Sequence, residues 1–201
     1  MGSTRAPLQR SLLAAGPVAV DPALRGAVRR VLAGGAWVDH VPDWCAGADE
    51  LFDALERTVV WEHHDRPMYD RIVATPRLTA GWSVADDPLP HPVLADAAAA
   101  IGDRYGVTVT RIGANLYRDG ADSVAWHGDR VARELPESLV AVLSLGSPRA
   151  FRLRPTGGGD AVAYHPGPGD LLVMGGTCQR TWQHSVPKSR LGGPRISVTF
   201  R

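Results

Sequence analysis

Two residues of the chain, a histidine and an aspartate, stand at a spacing that suits metal binding. His127 and Asp129 form an H-x-D triplet within residues 111–130. Side chains two positions apart on an extended strand point to the same side, so this imidazole and this carboxylate can hold one face of a metal ion. The triplet therefore predicts two metal ligands at the edge of a strand.

A third ligand should come from a distant strand, and His184 in the sequence W-Q-H-S-V-P is the candidate. Two histidines and one carboxylate leave positions open on the metal, as a non-haem Fe(II) site that takes substrate and oxygen requires. A structural zinc site would need four ligands, mostly cysteine and histidine, and the chain has no suitable cysteine set. We therefore predict an iron site with three metal ligands that also form the catalytic centre: His127, Asp129 and His184.

Four motifs follow one another along the chain: N-L-Y-R-D-G-x-D, W-H-x-D, H-S-V-P-K and P-R-I-S-V-T-F-R. In this order they resemble the AlkB family of 2-oxoglutarate/Fe(II)-dependent nucleic-acid dealkylases, over about residues 77–201. An H-x-D triplet alone arises by chance in many proteins, whereas the ordered set with its terminal arginine pair is highly specific. The resemblance implies Fe(2+) as cofactor and 2-oxoglutarate as co-substrate.

The same resemblance assigns four residues to 2-oxoglutarate. A keto acid that chelates iron leaves a second carboxylate directed into the protein, where a guanidinium can pair with it. Arg195 is the candidate for this pair, and Arg201 lies an even number of positions later, so a regular strand turns both inward. Asn115 and Tyr117 would add neutral hydrogen bonds. The alternatives are a packing role for Tyr117 and a solvated Arg201.

The activity that the resemblance implies is oxidative dealkylation of N-alkylated bases in DNA or RNA, such as 1-methyladenine and 3-methylcytosine. It would consume O2 and 2-oxoglutarate and release succinate, CO2 and an aldehyde, and the protein would supply aim and a dry pocket. Two alternatives stay open. One is a 2-oxoglutarate-dependent hydroxylase of a protein or small molecule, and the other is a non-catalytic nucleic-acid-binding module with a relic site.

The substrate residues are less clearly marked in the sequence. Residues 76–82, P-R-L-T-A-G-W, resemble the family segment that lines the base pocket, with Trp82 in the aromatic position. Core packing is the alternative for Trp82. Many relatives carry an acidic residue directly after H-x-D, but here the sequence R-V-A-R follows, which leaves base preference open. Five arginines could instead touch phosphates, or form a solvated face: Arg130, Arg133, Arg149, Arg152 and Arg154.

The elements that must position these residues are mainly strands. After residue 106 the chain consists of short, β-branched or alternating runs separated by Gly- and Pro-rich turns, which is typical of a sandwich or jelly roll. We predict a mainly β (α+β) fold, a double-stranded β-helix (jelly roll) core with two helices, residues 49–57 and 91–105, packed on one side. Residues 65–81 are polar and interrupted by prolines, and they are predicted to be a surface loop that leads to a strand. In a single domain, residues 1–106 would form the N-terminal helical and substrate-lid part and residues 107–201 the catalytic core.

Composition limits the other possibilities. The chain has 201 residues, 44% of them hydrophobic, which is enough for one domain with a sizeable core. The net charge of +1 argues against a large basic surface, so any phosphate contact must come from a local cluster. Two cysteines outside any C-x-x-C pair indicate reduced thiols rather than a disulfide framework. No stretch approaches the length of a membrane span. We expect a cytoplasmic monomer with alkylated DNA or RNA as partner and no membrane association.

Overall fold

The computed structural model describes residues 17–68, 71–129, 135–190 and 192–201, and only the backbone of residues 64–68 and 71–75. Its helices are α1 (Ala48–Thr58), α2 (Val93–Tyr105) and the short α3 (Cys178–Thr181), with a 3-10 turn at Ala33–Gly35. The strands, in chain order, are β1 (Ala19–Val20), β2 (Val28–Val31), β3 (Ala36–Val41), β4 (Cys45–Ala46), β5 (Glu62–Met68), β6 (Arg71–Ser83), β7 (Arg111–Tyr117), β8 (Val124–His127), β9 (Val140–Gly146), β10 (Phe151–Pro155), β11 (Val162–Tyr164), β12 (Leu171–Gly176), β13 (Trp182–Val186) and β14 (Arg195–Phe200).

Two antiparallel sheets make up most of the described chain. The large sheet has eight strands in the order β2-β3-β12-β9-β14-β7-β6-β5, and the small sheet has four in the order β11-β10-β13-β8. The strands β1 and β4 pair separately. Neighbours in each sheet are mostly distant in sequence, as in a jelly roll, so the prediction of a mainly β double-stranded β-helix core is confirmed.

The central strands of the large sheet are buried on both faces. In β9, Ala141, Leu143 and Leu145 pack into a core beneath the helices, while Val140 and Val142 belong to a second core between the two sheets. Alternation along a strand sends neighbouring side chains to opposite faces. The large sheet therefore separates a structural core on its helical side from an inner face that can line a cavity.

Helices α1 and α2 cover one face of the large sheet. Helix α1 begins after Gly47, carries Asp49 in its first turn, where the helix dipole favours an acid, and buries Phe52 and Leu55. Helix α2 ends at Gly106, whose left-handed φ of 65° suits a glycine cap. Both predicted helices are confirmed within two residues of their expected bounds. The longest described helix, α2, has 13 residues, and no described helix is long and apolar enough to cross a membrane.

One expectation for the N-terminal half was wrong. Residues 65–68 lie in β5 and residues 71–81 in β6 rather than in a surface loop. Strands β2, β3, β5 and β6 add four strands to the large sheet. The prolines that suggested a loop are tolerated there. Pro67 lies on the edge strand β5, and Pro76 falls where the β5–β6 register shifts. The part before residue 106 therefore supplies strands of the large sheet as well as the two helices.

Candidate active site

The three metal-ligand candidates converge on one point. His127 ends β8, Asp129 follows two residues later, and His184 lies in β13, directly opposite His127 in the small sheet. The two imidazole centroids are 4.2 Å apart. One ligand atom from each of the three residues lies within 4.8 Å of the others. Two nitrogen donors and one carboxylate are therefore arranged as a facial set, which fits a non-haem Fe(II) ion.

The surroundings of each imidazole bear on how it could bind a metal. Nδ1 of His127 lies 2.9 Å from the carbonyl oxygen of Ala125, which can only accept, so Nδ1 donates its hydrogen and Nε2 is the nitrogen left for a metal. For His184, burial and then the neighbouring His127 lower its pKa to about 4. The ring is therefore neutral near pH 7 and needs to lose no proton before it binds a metal.

Asp129 is held as a carboxylate by its surroundings. Burial alone would raise its pKa, but the Arg201 guanidinium and the two imidazoles outweigh that effect and hold the pKa below the usual range. Nη2 of Arg201 donates to Oδ1 of Asp129 at 3.0 Å. The backbone N–H of Asp129 donates to Oε1 of Gln179 at 3.1 Å. Sequence reasoning did not single out Gln179, and its spacing carries no metal-binding signal.

Arg195 is a buried cation with spare hydrogen-bond donors. It lies in β14 with its side chain on the inner face and is 1% exposed. Its Nη2 donates to Oγ of Ser144 at 2.9 Å, while Nε and Nη1 have no acceptor in the described part of the chain. Burial lowers the pKa of Arg195, as expected when a cation is removed from water. A carboxylate in the cavity would supply both the missing acceptors and the missing charge, so this residue fits a keto diacid.

Asn115 and Tyr117 lie beside Arg195 on the adjacent strand β7. Tyr117 stands opposite Arg195 in the strand pairing, and its ring centroid is 5.3 Å from the guanidinium carbon. Asn115 donates from Nδ2 to Oγ of Ser197 at 3.5 Å. Its Oδ1 accepts from Nε of Arg77 at 2.8 Å, a contact that sequence reasoning missed. The four residues that the resemblance assigned to 2-oxoglutarate therefore share one inner face.

One cavity of about 740 Å³ contains this arrangement. Its walls include seven of the eight predicted site residues: Asn115, Tyr117, His127, Asp129, His184, Arg195 and Arg201. Apolar side chains complete the wall near the metal ligands, and the Phe151 ring stacks on His184 at a centroid distance of 5.4 Å. The volume is within the range of small-molecule sites, so the cavity can hold a metal, a keto acid and part of a substrate.

Trp82 does not line this cavity. It stands opposite Ile112 in the β6–β7 pairing and packs against the core on the helical side of the sheet. The alternation of β6 turns Arg77 toward the cavity and Trp82 away from it. The structure therefore places Trp82 on the helical side of the sheet, and its assignment to the base stays a prediction that the lining of this cavity does not support. The cavity is lined by another tryptophan, Trp126, one position before the first metal-ligand candidate.

The arginines that could touch phosphates occupy different environments. Arg149 is 3% exposed and donates to the backbone carbonyls of Asp119, Asp122 and Pro187, so it is a structural residue rather than part of a solvated face. Arg154 lies over the Trp126 ring at 4.4 Å, and Arg152 is exposed. The remaining two, Arg130 and Arg133, lie outside the described residues.

Comparisons with known proteins agree with the fold and identify the superfamily. A family model of the 2OG-Fe(II) oxygenase superfamily matches residues 80–201. Alpha-ketoglutarate-dependent dioxygenase alkB homolog 3 of Bos taurus is 34% identical over 174 residues, which cover 77% of this chain and 61% of that protein. DNA oxidative demethylase ALKBH2 of Mus musculus is 28% identical over 179 residues, covering 78% of this chain and 75% of that protein.

A solved structure supports the fold alone. The crystal structure of an oxidoreductase of the 2OG-Fe(II) oxygenase family from Burkholderia pseudomallei matches with a TM-score of 0.59 at 17% identity, covering 81% of this chain and 83% of that one. The jelly-roll core, the three converging metal-ligand candidates and the buried Arg195 are together typical of one class of protein. Proteins of this class bind Fe(II) and 2-oxoglutarate.

The chain belongs to the 2OG-Fe(II) oxygenase superfamily, and the relatives named above to which it is similar are alkB homologues. It spans about 61% of the length of the alkB homolog 3 relative from Bos taurus. The cofactor of this family is Fe(2+) and its co-substrate is 2-oxoglutarate, and the residues around the cavity fit both groups.

Proposed function

We propose that the chain catalyses oxidative dealkylation of N-alkylated bases in DNA or RNA, with O2 and 2-oxoglutarate as co-substrates. One observation carries the proposal: a single cavity holds both the convergent metal-ligand set and the buried Arg195 with two unpaired donors. Fe(2+) and 2-oxoglutarate, when bound, supply the oxidising chemistry that removes the alkyl group, with succinate, CO2 and an aldehyde as products.

The residues of the inner face would bind and orient the co-substrate. Arg195 would donate Nε and Nη1 to the carboxylate that lies away from the metal, replacing an unpaired buried charge with a charge-assisted pair. Tyr117 and Asn115 would add neutral hydrogen bonds on the same side. Arg201 lines the same cavity as these three residues and pairs with Asp129. It therefore connects the co-substrate residues with the metal ligands.

The metal ligands would hold their ion rigidly because each one has a second contact. Ala125 fixes the His127 tautomer, Phe151 stacks on His184, and Arg201 keeps Asp129 ionised. Such contacts orient metal ligands and tune their basicity. The buried position of His184 also keeps water away from one side of the metal.

Support for a nucleic-acid substrate comes from the relatives and from the cavity mouth. One relative is named a DNA oxidative demethylase. Trp126 lines the cavity, and the guanidinium of Arg154 lies over its ring. An aromatic ring beside a cation is the combination that binds a base and its phosphate in single-stranded nucleic acid. A base in a duplex would have to leave the stack to reach the metal ligands.

The proposal is tested by aldehyde release from methylated oligonucleotides. Protein loaded with Fe(II) under anaerobic conditions is given 2-oxoglutarate, O2 and DNA or RNA that carries 1-methyladenine or 3-methylcytosine. We expect formaldehyde release, repair of the base by mass spectrometry, and loss of both with a chelator or in His127→Ala. The matched control is His165→Ala, an exposed histidine away from the cavity lining. Equal release by native protein and His127→Ala would exclude the proposal.

The rival hydroxylase function has a different signature in the same assay. It requires succinate formation that methylated nucleic acid does not stimulate and that a protein or small molecule does. The same preparation can be tested with both kinds of substrate. Stimulation by the oligonucleotide alone selects the dealkylase.

We further propose that the chain works as a single-domain monomer in the cytoplasm. Strands from both sides of residue 106 share the large sheet, which favours one folding unit. The two cysteines, Cys45 and Cys178, are free and buried, which suits a reducing compartment. Size-exclusion chromatography with light scattering measures the mass, and a dimer mass would contradict this part of the proposal.

A further inference from the structure

Gln179 is a buried amide whose two ends are both engaged next to the metal ligands. It lies in α3 and is 6% exposed. Its Oε1 accepts the backbone N–H of Asp129 at 3.1 Å, and its Nε2 lies 3.8 Å from Sδ of Met174. Because a backbone N–H can only donate, the contact with Asp129 settles which end of the amide is the oxygen.

The main chain of Gln179 also packs against the H-x-D triplet. A Cβ at Gly128 would lie 3.1 Å from the carbonyl oxygen of Gln179, closer than an ordinary contact. Glycine at this position therefore lets the two backbone segments approach each other. Gln179 contacts the metal-ligand segment with its backbone at Gly128 and with its side chain at Asp129.

These contacts join the two parts of the chain that supply the metal ligands. Helix α3 leads directly into β13, which carries His184. Asp129 lies beyond the end of β8, so its N–H is outside the sheet ladder and is bonded instead by Gln179. The bond from Gln179 therefore restrains the Asp129 backbone, while Arg201 holds one oxygen of its carboxylate.

We propose that Gln179 is a positioning residue for the metal: it fixes the backbone of Asp129 so that the carboxylate points at the ion that His127 and His184 bind. The inference rests on the proposed function only in requiring that the site binds a divalent metal. Contacts that orient ligands in this way typically contribute about 10- to 100-fold to metal affinity.

The test is an anaerobic titration of the metal-free protein with Co(II), read from the visible absorption of the bound ion. Gln179→Met keeps the length and apolar volume of the side chain but removes the amide acceptor. We expect its Co(II) Kd to rise about 10- to 100-fold. The matched control is Gln183→Met, which alters the same residue type on β13 but on the side that contacts Arg154. Its Co(II) Kd should equal the native value.

A second substitution separates positioning from general stability. Gln179→Glu retains a carboxyl oxygen that can accept the Asp129 N–H, so the Co(II) Kd should return close to the native value. The thermal midpoint of each metal-free variant is measured in parallel. If Gln179 only stabilised the fold, Gln179→Met would lower this midpoint, and Gln179→Glu would not restore the native Co(II) Kd. If Gln179→Met does not fold, Gly128→Ala tests the same junction by forcing the Gln179 carbonyl away, and it should also weaken Co(II) binding.

Three outcomes would overturn the inference. The first is a native Co(II) Kd in Gln179→Met. The second is a loss of Co(II) affinity in Gln179→Glu that equals the loss in Gln179→Met. The third applies if Gln179→Met is unfolded, and it is a native Co(II) Kd in Gly128→Ala. A native protein that binds no Co(II) would remove the proposed function as well. Native binding with an unaffected Gln179→Met variant removes this inference alone.

Discussion

Arg201 and Asp129 form an ion pair inside the cavity, with Nη2 of the arginine 3.0 Å from Oδ1 of the aspartate. The other terminal nitrogen of Arg201 donates to Oγ1 of Thr199 at 2.9 Å. The guanidinium is therefore fixed at both ends before any co-substrate arrives. The same cation pairs with a proposed metal ligand and lines the cavity in which we propose that the keto acid binds, so metal and co-substrate binding should be coupled through it.

A first prediction concerns this coupling and uses a glycine as the probe. A Cβ at Gly113 would lie 3.0 Å from Oγ1 of Thr199 and 3.3 Å from Nη1 of Arg201. We expect Gly113→Ala to displace Arg201 and to raise the KM for 2-oxoglutarate about threefold to tenfold, the effect of a weakened charge-assisted hydrogen bond. Steady-state succinate formation measures it. Gly157→Ala, where a Cβ meets open space, is the control and should leave the KM unchanged.

A second prediction concerns the buried guanidinium of Arg195. Arg195→Lys keeps a positive charge but loses the planar fork, so it can no longer pair with both carboxylate oxygens. We expect the Kd for 2-oxoglutarate to rise about 10- to 100-fold, the cost of losing one hydrogen bond to a charged group. Isothermal titration of the metal-loaded protein under anaerobic conditions measures it. Arg111→Lys, which changes an exposed arginine, is the control. If both variants raised the Kd for 2-oxoglutarate equally, Arg195 would have no specific role in binding it.

A third prediction concerns nucleic-acid binding at the cavity mouth. Each phosphate contact that a cation makes contributes about one unit to the slope of log K against log salt. We expect Arg154→Met to weaken binding of single-stranded DNA and to reduce that slope by about one. Fluorescence anisotropy at several salt concentrations measures both quantities. Arg104→Met changes an exposed arginine on helix α2, on the far side of the large sheet, and should change neither quantity.

A fourth prediction tests the packing that supports the site from behind. Leu55 is fully buried in the core between α1 and the large sheet. We expect Leu55→Ala to lower the free energy of unfolding by about 2–5 kcal/mol, because it leaves a cavity that the core fills only partly. Urea denaturation of the metal-free protein measures the loss. Val60 is 84% exposed, so Val60→Ala should cost less than about 0.5 kcal/mol. Similar midpoints for the two variants would contradict this account of the core.

The sequence predicted the site best where a short-range rule applies. Two positions along a strand return a side chain to the same face, and this parity brings Asn115 and Tyr117 to one wall and Arg195 and Arg201 to the next. The ordered motifs then identified the family that the chain belongs to. Neither the alternation of side chains nor the motifs required knowledge of which strands pair, because both are read from residues close together in the chain.

The same rule could not select the correct face of β6. The segment 76–82 was identified, but Trp82 faces the helical core while Arg77 reaches Asn115 across the strand pair. The parity of a strand is local, whereas its orientation relative to the cavity depends on which strands pair with it. The pairing of β5 with β6 was also not predicted, because Pro67 and Pro76 resemble the prolines of a loop. Pro76 lies at the bulge between the two strands.

The sequence by itself determined the donor types, their spacing and the jelly-roll class of this protein. Only the tertiary structure decided that His127 stands opposite His184, that Gln179 bonds the backbone of Asp129, and that Arg149 is buried. The physical reason is that alternation and turn chemistry act over a few residues, while these contacts join segments 30 to 60 positions apart through the sheet register. Register is set by packing of the whole sheet, which no short window of sequence contains.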